Sequence, residues 1–470
     1  MLTLLLSIIS LLFTAVPVVA SDQCRDEVFL RRTYLTMTGS LPESQVCLKF
    51  FEDKSPDKRA ALIDRLLEDE LTLRYMQMHW GDILRIKSEF PSNLWPNGVQ
   101  AYNRWLYEHL LQNTPYDLMV RDLLLSEGSN FRSPAVNFYR GFQQRTPENF
   151  YQNINLLFLG DRNCEDNGHL CFSQVKFKST KEWKEEIIYL DVHKELPSER
   201  IVLGDGTVLK PVADTDWRRE YVMWLTSSAN RRFAEVMVNR MWFWVFGKGI
   251  VDEPDDWRED NKPSDPRLLK SLTDYFIAND FNMRLLMKKI LLSEEFNSEM
   301  APAGKYVHQR LPAEVIVDAL ATVTGIWNTY SSRVPEPFTF YPPKTRSTHL
   351  GDATVSSTEL ELFGKVSRDV SLESQRNNSI TARQLLYLMN SSELEQRIRK
   401  SPVLKQICKQ SKSVRQLADA VTLRVLSRKA TPHEIELYEE HMDKGGLTLT
   451  ELAYDIMWMQ INCNEFLYNH

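Results

Sequence analysis

An acidic turn that follows a predicted helix holds the residues best suited to acid–base chemistry. The helix carries Arg240, and the turn contains Asp255, Asp256 and Arg258. Carboxylic acids act as general acids, general bases and nucleophiles in hydrolases, so the turn is a candidate catalytic site. Its oxygen atoms would also suit Ca²⁺, although the ligand order of an EF-hand is missing. The alternative is a solvated or arginine-paired loop without a function of its own.

Arg240 is predicted to pair with a carboxylate of the turn 252–256. Its neighbours on the helix include Met241, Trp242 and Trp244, which indicate a largely buried position. A buried guanidinium without a partner is costly, and its planar shape suits contact with a carboxylate. The other arginine of the turn is expected to face solvent.

A second polar stretch, much later in the chain, contains Arg368 and Glu373. Charges of both signs that stand close together in sequence can line a cleft. Trp95 and Tyr341 are candidate faces on which sugar rings would stack. The alternative is a polar surface above buried aromatic side chains. Convergence of Asp256, Arg240 and Glu373 in one cleft would favour a functional site.

Cys164, His169 and Cys171 form a third group with two alternative roles. Thiolate and imidazole groups are ligands for Zn²⁺ or copper, but the sequence offers no evident fourth ligand. In an oxidising compartment the two cysteines would instead close a short disulfide loop, which we expect here. The other cysteines pair by proximity in sequence: Cys24 with Cys47, and Cys408 with Cys463. Six buried thiols are the alternative.

His79 and Asp82 lie three residues apart on a predicted helix, so they share one face. An aspartate can orient a histidine for proton transfer. Beside Trp80 the pair is expected to be a structural contact. The sequence contains no Gly-x-Ser-x-Gly elbow, His-Glu-x-x-His helix or phosphate-binding loop.

The elements that position these groups are mostly helical. Apolar residues at helical spacing predict an amphipathic helix that begins near Arg231 and ends at Gly247 and Gly249. Three short segments predict strands: 186–190, 201–203 and 207–209. The predicted fold is mainly α, with two helical domains and a small β insert of about three strands between them. The expected boundaries are 1–20 for a signal peptide, 21–195 for the N-terminal domain, 196–214 for a β-hairpin linker and 215–470 for the C-terminal domain.

The first twenty residues predict export. They carry no charge and end in Val18-Val19-Ala20, whose small side chains suit signal peptidase, so cleavage is expected after Ala20. The absence of a basic residue before the apolar run leaves an uncleaved anchor as the alternative. No later segment has the ~18 consecutive apolar residues of a membrane span. We therefore expect a periplasmic or extracellular protein without a membrane span after cleavage.

The charge balance argues against one class of partner. The 470 residues include 57 basic and 63 acidic side chains, which gives a net charge of −6. Such a chain lacks the basic excess needed to bind nucleic acid phosphates. Hydrophobic residues make up 43% of the chain, enough for sizeable cores and too many for a disordered chain.

Several motifs of the chain resemble those of a known pair of domains. They are Arg31-Arg32-x-Tyr34-Leu35-x-x-Thr38-Gly39-x-Leu41-Pro42, His79-Trp80, Pro115-Tyr116-Asp117, Asn239-Arg240-Met241-Trp242, Phe246-Gly247-x-Gly249-Ile250-Val251 and Leu311-Pro312-Ala313-Glu314. Together they resemble the tandem planctomycete-type domains of unknown function in exported proteins of Planctomycetes, Verrucomicrobia and related bacteria. The resemblance covers nearly the whole chain after residue 20.

The resemblance implies export but no established reaction. Relatives are sometimes fused to cytochrome c-like domains and are commonly encoded beside sulfatase-like proteins, which implies a link with polysaccharide use. Many relatives carry Cys-x-x-Cys-His, whereas Cys164 and Cys171 are too far apart for that motif. Covalent haem c requires a close cysteine pair with an adjacent histidine, so no haem is expected.

Three hypotheses for the function remain. The first is a non-catalytic exported binding or scaffold protein for polysaccharide utilisation, with polysaccharide or a co-encoded sulfatase-like exported protein as its partner. The second is a hydrolase that uses the carboxylates of the acidic turn. The third is a metal- or redox-linked protein. No cofactor is predicted, and the sequence leaves both catalysis and the oligomeric state open.

Overall fold

The computed structural model describes four ranges of the chain: residues 24–162, 165–298, 310–332 and 340–469. Helices account for 57% of the fold and strands for 5%, so the mainly α prediction is confirmed. The predicted signal peptide and Cys164 lie outside the described residues.

Eight helices build the N-terminal part of the molecule. Their bounds are Asp26–Thr38 (α1), Ser44–Glu52 (α2), Lys58–Leu67 (α3), Glu70–Ile83 (α4), Trp95–Leu111 (α5), Tyr116–Leu124 (α6), Asn137–Arg140 (α7) and Pro147–Leu159 (α8). Local sequence sets the ends of the longer helices. In α8 the Thr146 side chain accepts a hydrogen bond from the Asn149 backbone, and Gly160 ends the helix with a φ of 66°.

Two small antiparallel sheets contain all strands of the described residues. The strands are Gly128–Ser129 (β1), Val175–Ser179 (β2), Glu186–Leu190 (β3), Ile201–Val202 (β4) and Val208–Leu209 (β5). In the first sheet β3 lies between β1 and β2, and the second sheet is the hairpin of β4 and β5. The last three strands coincide with predicted segments. The sequence analysis missed β2, whose alternation of Lys176 and Lys178 with apolar residues is the pattern of a half-buried strand.

The C-terminal part returns to helices. Their bounds are Arg218–Leu225 (α9), Arg231–Phe246 (α10), Pro266–Ala278 (α11), Met283–Leu291 (α12), Glu294–Asn297 (α13), Ala313–Thr324 (α14), Thr358–Leu362 (α15), Ala382–Asn390 (α16), Ser392–Lys400 (α17), Pro402–Gln410 (α18), Val414–Leu426 (α19), Pro432–Gly445 (α20), Leu449–Ile461 (α21) and Asn464–Leu467 (α22). Among the described residues, none of the helices combines the length and the apolar content that crossing a membrane requires.

Two glycines turn the chain back after α10, as the sequence predicts. Gly247 adopts a left-handed φ of 71° and caps the helix. A Cβ atom on Gly249 would lie 2.0 Å from the carbonyl oxygen of Val251, so only glycine fits there. This reversal returns the acidic turn to the side of α10.

The apolar side chains form two hydrophobic cores. Most residues of the first core lie between Cys24 and Phe296, and most residues of the second lie between Leu311 and Leu467. The N-terminal helices α1 and α4 contribute to both, with Leu35 and Tyr75 packed into the second core. These two helices therefore lie where the cores meet. The domain boundary expected at 196–214 stays a prediction.

The predicted disulfides are not formed. The described cysteines are free thiols, and the group consists of Cys24, Cys47, Cys171, Cys408 and Cys463. The cysteines that are neighbours in sequence are not linked to each other, and their thiols contact other groups in the fold. The Cys24 sulfur contacts the Arg59 guanidinium at 3.7 Å, whereas Cys463 bonds the carbonyl of Gln460.

Candidate functional site

Arg240 pairs with a carboxylate of the acidic turn, as predicted, and the partner is Asp255. Arg240 Nη2 lies 3.2 Å from Asp255 Oδ1, and Arg240 Nε lies 3.3 Å from Glu373 Oε1. No more than 4% of any of the three side chains is exposed to solvent. We call Arg240, Asp255 and Glu373 the Arg240 cluster. Burial of a charge is costly unless the charge is paired, and Arg240 here has a carboxyl group on two sides.

Further hydrogen bonds fix the geometry of the Arg240 cluster. Trp244 Nε1 donates to Glu373 Oε1 at 2.9 Å, and the Glu373 backbone N–H donates to Asp255 Oδ2 at 2.5 Å. Arg240 Nη2 also donates to the carbonyl of Leu157 at 3.1 Å. The helix α10, the acidic turn and the segment around Glu373 are therefore held in one arrangement.

The surroundings of the Glu373 carboxyl favour its protonated form at neutral pH. Burial disfavours its charged form and raises its pKa to about 8, and the negative charge of Asp255 adds to this rise against the opposing effect of Arg240. One cation cannot neutralise two carboxylates. With a proton on Glu373, the Arg240 cluster is electrically neutral.

A second buried ion group lies beside the first. Asp82 contacts two arginines, with Arg368 Nε at 2.9 Å and Arg376 Nη2 at 2.7 Å, and Arg376 Nη1 lies 2.8 Å from Glu314. We call Asp82, Glu314, Arg368 and Arg376 the Asp82 cluster. Burial opposes ionisation of Asp82 and Glu314, but the guanidinium groups outweigh it and lower the pKa of both carboxyls. Two cations face two carboxylates, so all four groups stay charged.

His79 packs between the two clusters. Its ring centroid lies 5.0 Å from that of Trp244 in a stacked arrangement and 4.8 Å from that of Tyr75. Burial lowers the pKa of His79 to about 4, and the charge of Arg376 adds to this effect. The imidazole is therefore neutral at physiological pH. Asp82, three residues along α4, binds the arginines with both carboxylate oxygens.

A cleft with a volume of about 100 Å³ opens beside both clusters. Aromatic rings, among them Tyr75, His79 and Trp244, form part of its wall. The polar residues of the wall are Thr36, Arg310, Glu373, Arg376, Asn378 and Asn469. The cleft therefore combines ring faces with groups that donate and accept hydrogen bonds.

Asn378 contributes an acceptor without a donor. Its Oδ1 atom is buried and receives no hydrogen bond from the residues that the structure describes. Buried polar atoms are usually paired, so this acceptor has unused hydrogen-bonding capacity beside the cleft. Arg310 does not fill this role, because it donates to backbone carbonyls, including those of Leu311 and Phe363.

Two other candidates lie outside the cluster. Asp256, the immediate neighbour of Asp255, pairs with Arg258 at 2.7 Å on the surface. The Arg258 side chain is 60% exposed, as expected. Convergence therefore involves Arg240, Asp255 and Glu373, while Arg368 belongs to the Asp82 cluster.

The candidate stacking aromatics do not line the cleft. Trp95 lies against Trp183, with ring centroids 5.4 Å apart. Tyr341 packs partly buried against the second core.

The residues of the predicted disulfide or metal group have other surroundings. His169 Nε2 lies 3.8 Å from Glu148 Oε1. Burial raises the pKa of the Cys171 thiol to about 12. Across the described ranges, no three His, Cys, Asp or Glu side chains are placed to hold a metal ion.

Glu314 is the member of the site that sequence reasoning did not propose. It is a carboxylate on the largely apolar helix α14, Ala313–Thr324, and is 2% exposed. Burial of a charge is costly unless it is paired or hydrogen-bonded, and the partner of Glu314 is Arg376. Applied to the sequence, this rule would have identified Glu314 as a candidate residue. It would not have identified Arg376 as the partner.

Matches to two protein families together cover most of the chain. A family described as a protein of unknown function, DUF1549 (PSCyt2), matches residues 8–162. A second family described as a protein of unknown function, DUF1553 (PSD1), matches residues 217–442. No curated protein and no solved structure is similar enough to match. The first match supplies Tyr75 and His79 to the cleft wall, and the second supplies Trp244 and Glu373.

Proposed function

This chain belongs to the proteins that carry the two planctomycete-type domains of unknown function in tandem, and on that premise we propose that it is a binding protein. Its cleft holds a small hydroxyl-rich group such as the end of a polysaccharide chain. The observation that carries this proposal is the cleft itself, which lies at the junction of the two matched regions. Ligand sites occur preferentially at such junctions.

The polar atoms of the cleft favour hydroxyl groups. Glu373 in its protonated form donates a hydrogen bond, and Asn378 Oδ1 is an acceptor that no described residue uses. A hydroxyl group both accepts and donates, so neighbouring hydroxyls satisfy both atoms. A simple anion accepts only, and it would leave Asn378 unpaired. The Trp244 and Tyr75 rings supply apolar faces for the C–H groups of a sugar.

The size of the cleft limits the ligand. Pockets for drug-sized molecules have volumes of about 300–1,000 Å³. A volume of about 100 Å³ accommodates part of one sugar unit rather than several. The proposal is therefore recognition of a chain end or of a single unit.

A hydrolase is the second candidate, because a buried carboxylic acid with a raised pKa is a typical general acid. Glycosidases require a second carboxyl group about 5–9.5 Å from the first. Among the described residues of the cleft wall, Glu373 is the only carboxyl. Asp255 is bound to Arg240 and to the Glu373 backbone, behind the wall. Binding without turnover is therefore the favoured function.

Calorimetric titration of the full chain with methyl glycosides and short oligosaccharides tests the proposal. We expect at least one sugar to bind, and Asn378→Ala to weaken that binding about tenfold, since it removes the unpaired acceptor. Leu386→Ala, at a 58% exposed position on α16, is the matched control. If Asn378→Ala and the parent chain bound the sugar with equal affinity, the cleft would be excluded as the binding site.

The pH dependence of binding separates the two candidates. Affinity should fall as the pH rises through about 8, where Glu373 loses its proton, and Glu373→Gln should abolish that dependence. Product analysis by mass spectrometry accompanies each titration. Cleavage of the sugar by the parent chain and its loss in Glu373→Gln would establish the hydrolase instead.

Export is also part of the proposal. The uncharged apolar run before Ala20 supports secretion with a mature N-terminus at Ser21. Mass spectrometry of protein recovered outside the cytoplasm would detect this terminus, and an intact Met1 would contradict cleavage.

A further inference from the structure

The hairpin of β2 and β3 places an aromatic pair on the surface, away from the cleft. Trp183, at the tip of the hairpin, lies against Trp95 from the start of α5, with their rings tilted by 43°. Lys184 Nζ lies 4.5 Å from the centre of the Trp95 ring. Trp183 is 62% exposed.

The backbone at this pair is strained. Trp95 has a φ of 63°, and Lys184 and Lys181 have φ values of 60° and 69°. Large side chains rarely adopt left-handed conformations, which persist only where the surrounding structure enforces them. Such strain concentrates at ligand sites. It coincides here with the residues that present the rings.

The base of the hairpin is fixed by buried polar contacts. Asn130 and Glu186 exchange two hydrogen bonds, from Asn130 N–H to the Glu186 carbonyl and from Glu186 N–H to Asn130 Oδ1. Arg140 Nε lies 3.0 Å from Glu186 Oε2, and Arg145 Nη1 lies 2.8 Å from Glu186 Oε1. The aromatic pair is therefore held in place before any ligand arrives, which lowers the entropy lost on binding.

The hairpin carries more unpaired positive charges than unpaired negative charges. Four exposed lysines form no ion pair with any described residue: Lys176, Lys178, Lys181 and Lys184. The carboxylate of Glu186 is bound by two arginines, and Glu185 accepts a hydrogen bond from Ser129. Glu182 and Glu185 offset two of the four cations. The hairpin thus presents positive charge on a protein whose net charge is −6.

We propose that Trp95, Trp183 and the four hairpin lysines bind an acidic polysaccharide, whose sugar rings stack on the indoles while its carboxylate or sulfate groups contact the lysines. A protein partner fits less well, because lysine is depleted in protein interfaces. A single-stranded nucleic acid would also stack on the indoles and contact the lysines, so its displacement of the polymer is an outcome of the test below. This surface is separate from the cleft and does not depend on the function proposed for it.

Affinity electrophoresis of the full chain tests the proposal with three polymers in the gel. Polygalacturonate carries carboxylates, dextran sulfate carries sulfates, and dextran carries no charge. We expect retardation by one or both charged polymers, a loss of retardation at high salt, and none by dextran. The two charged arms identify which acidic group is recognised. Equal retardation by dextran would overturn the requirement for acidic groups.

Two variants separate stacking from charge. Trp183→Ala should weaken polymer binding at least tenfold, and Lys181→Gln with Lys184→Gln should reduce its dependence on salt. Phe340→Ala and Lys409→Gln, at exposed positions elsewhere, are the matched controls. All five positions are exposed, so thermal unfolding should match the parent chain. Parent-like polymer binding by Trp183→Ala, or displacement of the polymer by equimolar single-stranded oligothymidylate, would overturn the proposal.

Discussion

The two buried clusters differ in the balance of their charges. The Asp82 cluster sets two guanidinium groups against two carboxylates, whereas the Arg240 cluster sets one against two. Both are almost completely buried. The pKa of Asp82 and Glu314 is lowered, but the pKa of Glu373 is raised to about 8. The carboxyl groups of the two clusters are thus equally buried but differ in protonation. The cause is the number of nearby guanidinium groups, which is two in the Asp82 cluster and one in the Arg240 cluster.

The difference assigns the two clusters different roles. In the Asp82 cluster every charge is neutralised within the chain, and the contacts join α4, α14 and the segment that follows α15. These ion pairs therefore stabilise the packing of the elements at which the two cores meet. In the Arg240 cluster a proton is retained on a carboxyl that borders the cleft. A retained proton is available to a ligand, so the unbalanced cluster is the one suited to function.

Removal of Arg376 should have the largest effect. Arg376→Met leaves Asp82 with one partner and Glu314 with none, so two buried carboxylates lose attraction. Loss of one partner from a buried ion pair costs about 3–5 kcal/mol. We expect urea denaturation to show a loss at or above the upper part of that range. A denaturation midpoint like that of the parent chain would show that the Asp82 cluster does not stabilise the fold.

Removal of Arg240 should have a smaller but clear effect. Arg240→Met leaves Asp255 as the single unpaired charge, because Glu373 is already neutral. The expected loss is about 3 kcal/mol, at the lower end of the range for buried pairs. If Arg240→Met were to destabilise the chain more than Arg376→Met, both carboxylates of the Arg240 cluster would be charged. That result would remove the contrast between the clusters.

The pH dependence of stability should sharpen the comparison. The pKa of Glu373 is raised in the folded state, so its proton stabilises the fold below the unfolded pKa, and this stability is lost as the pH rises through about 8. Between pH 6.5 and 8 the parent chain should lose up to about 1.4 kcal/mol per pH unit relative to Glu373→Gln. The lowered pKa of His79, about 4, confines its own contribution to lower pH. Parallel stability curves for the two chains in this window would contradict a protonated Glu373.

The surface pair should give the smallest effect. Arg258 contacts Asp256 beside the Arg240 cluster, but its side chain is largely exposed, and exposed ion pairs contribute little. Arg258→Ala should unfold at the same urea concentration as the parent chain within error. A clear destabilisation would mean that the exposed half of the acidic turn supports the buried half.

Local sequence determined the helices and most of their ends. The apolar spacing of α10 and the glycines that follow it predicted both the helix and the chain reversal. The strand Glu186–Leu190 was predicted with its observed bounds. These features depend on neighbours within a few residues. The sequence also indicated that Arg240 requires a carboxylate from the turn, because the cost of burying a lone guanidinium does not depend on the fold.

Only the tertiary structure decided which carboxylates complete the clusters. Asp255 and Asp256 are adjacent and chemically equivalent in sequence, yet the turn directs one into the core and the other to solvent. Glu373 meets Asp255 across 118 residues, and Arg368 meets Asp82 across 286. Long-range contacts of this kind leave no periodic pattern in the chain. Their charge balance, and with it the proton on Glu373, exists only once both cores have packed.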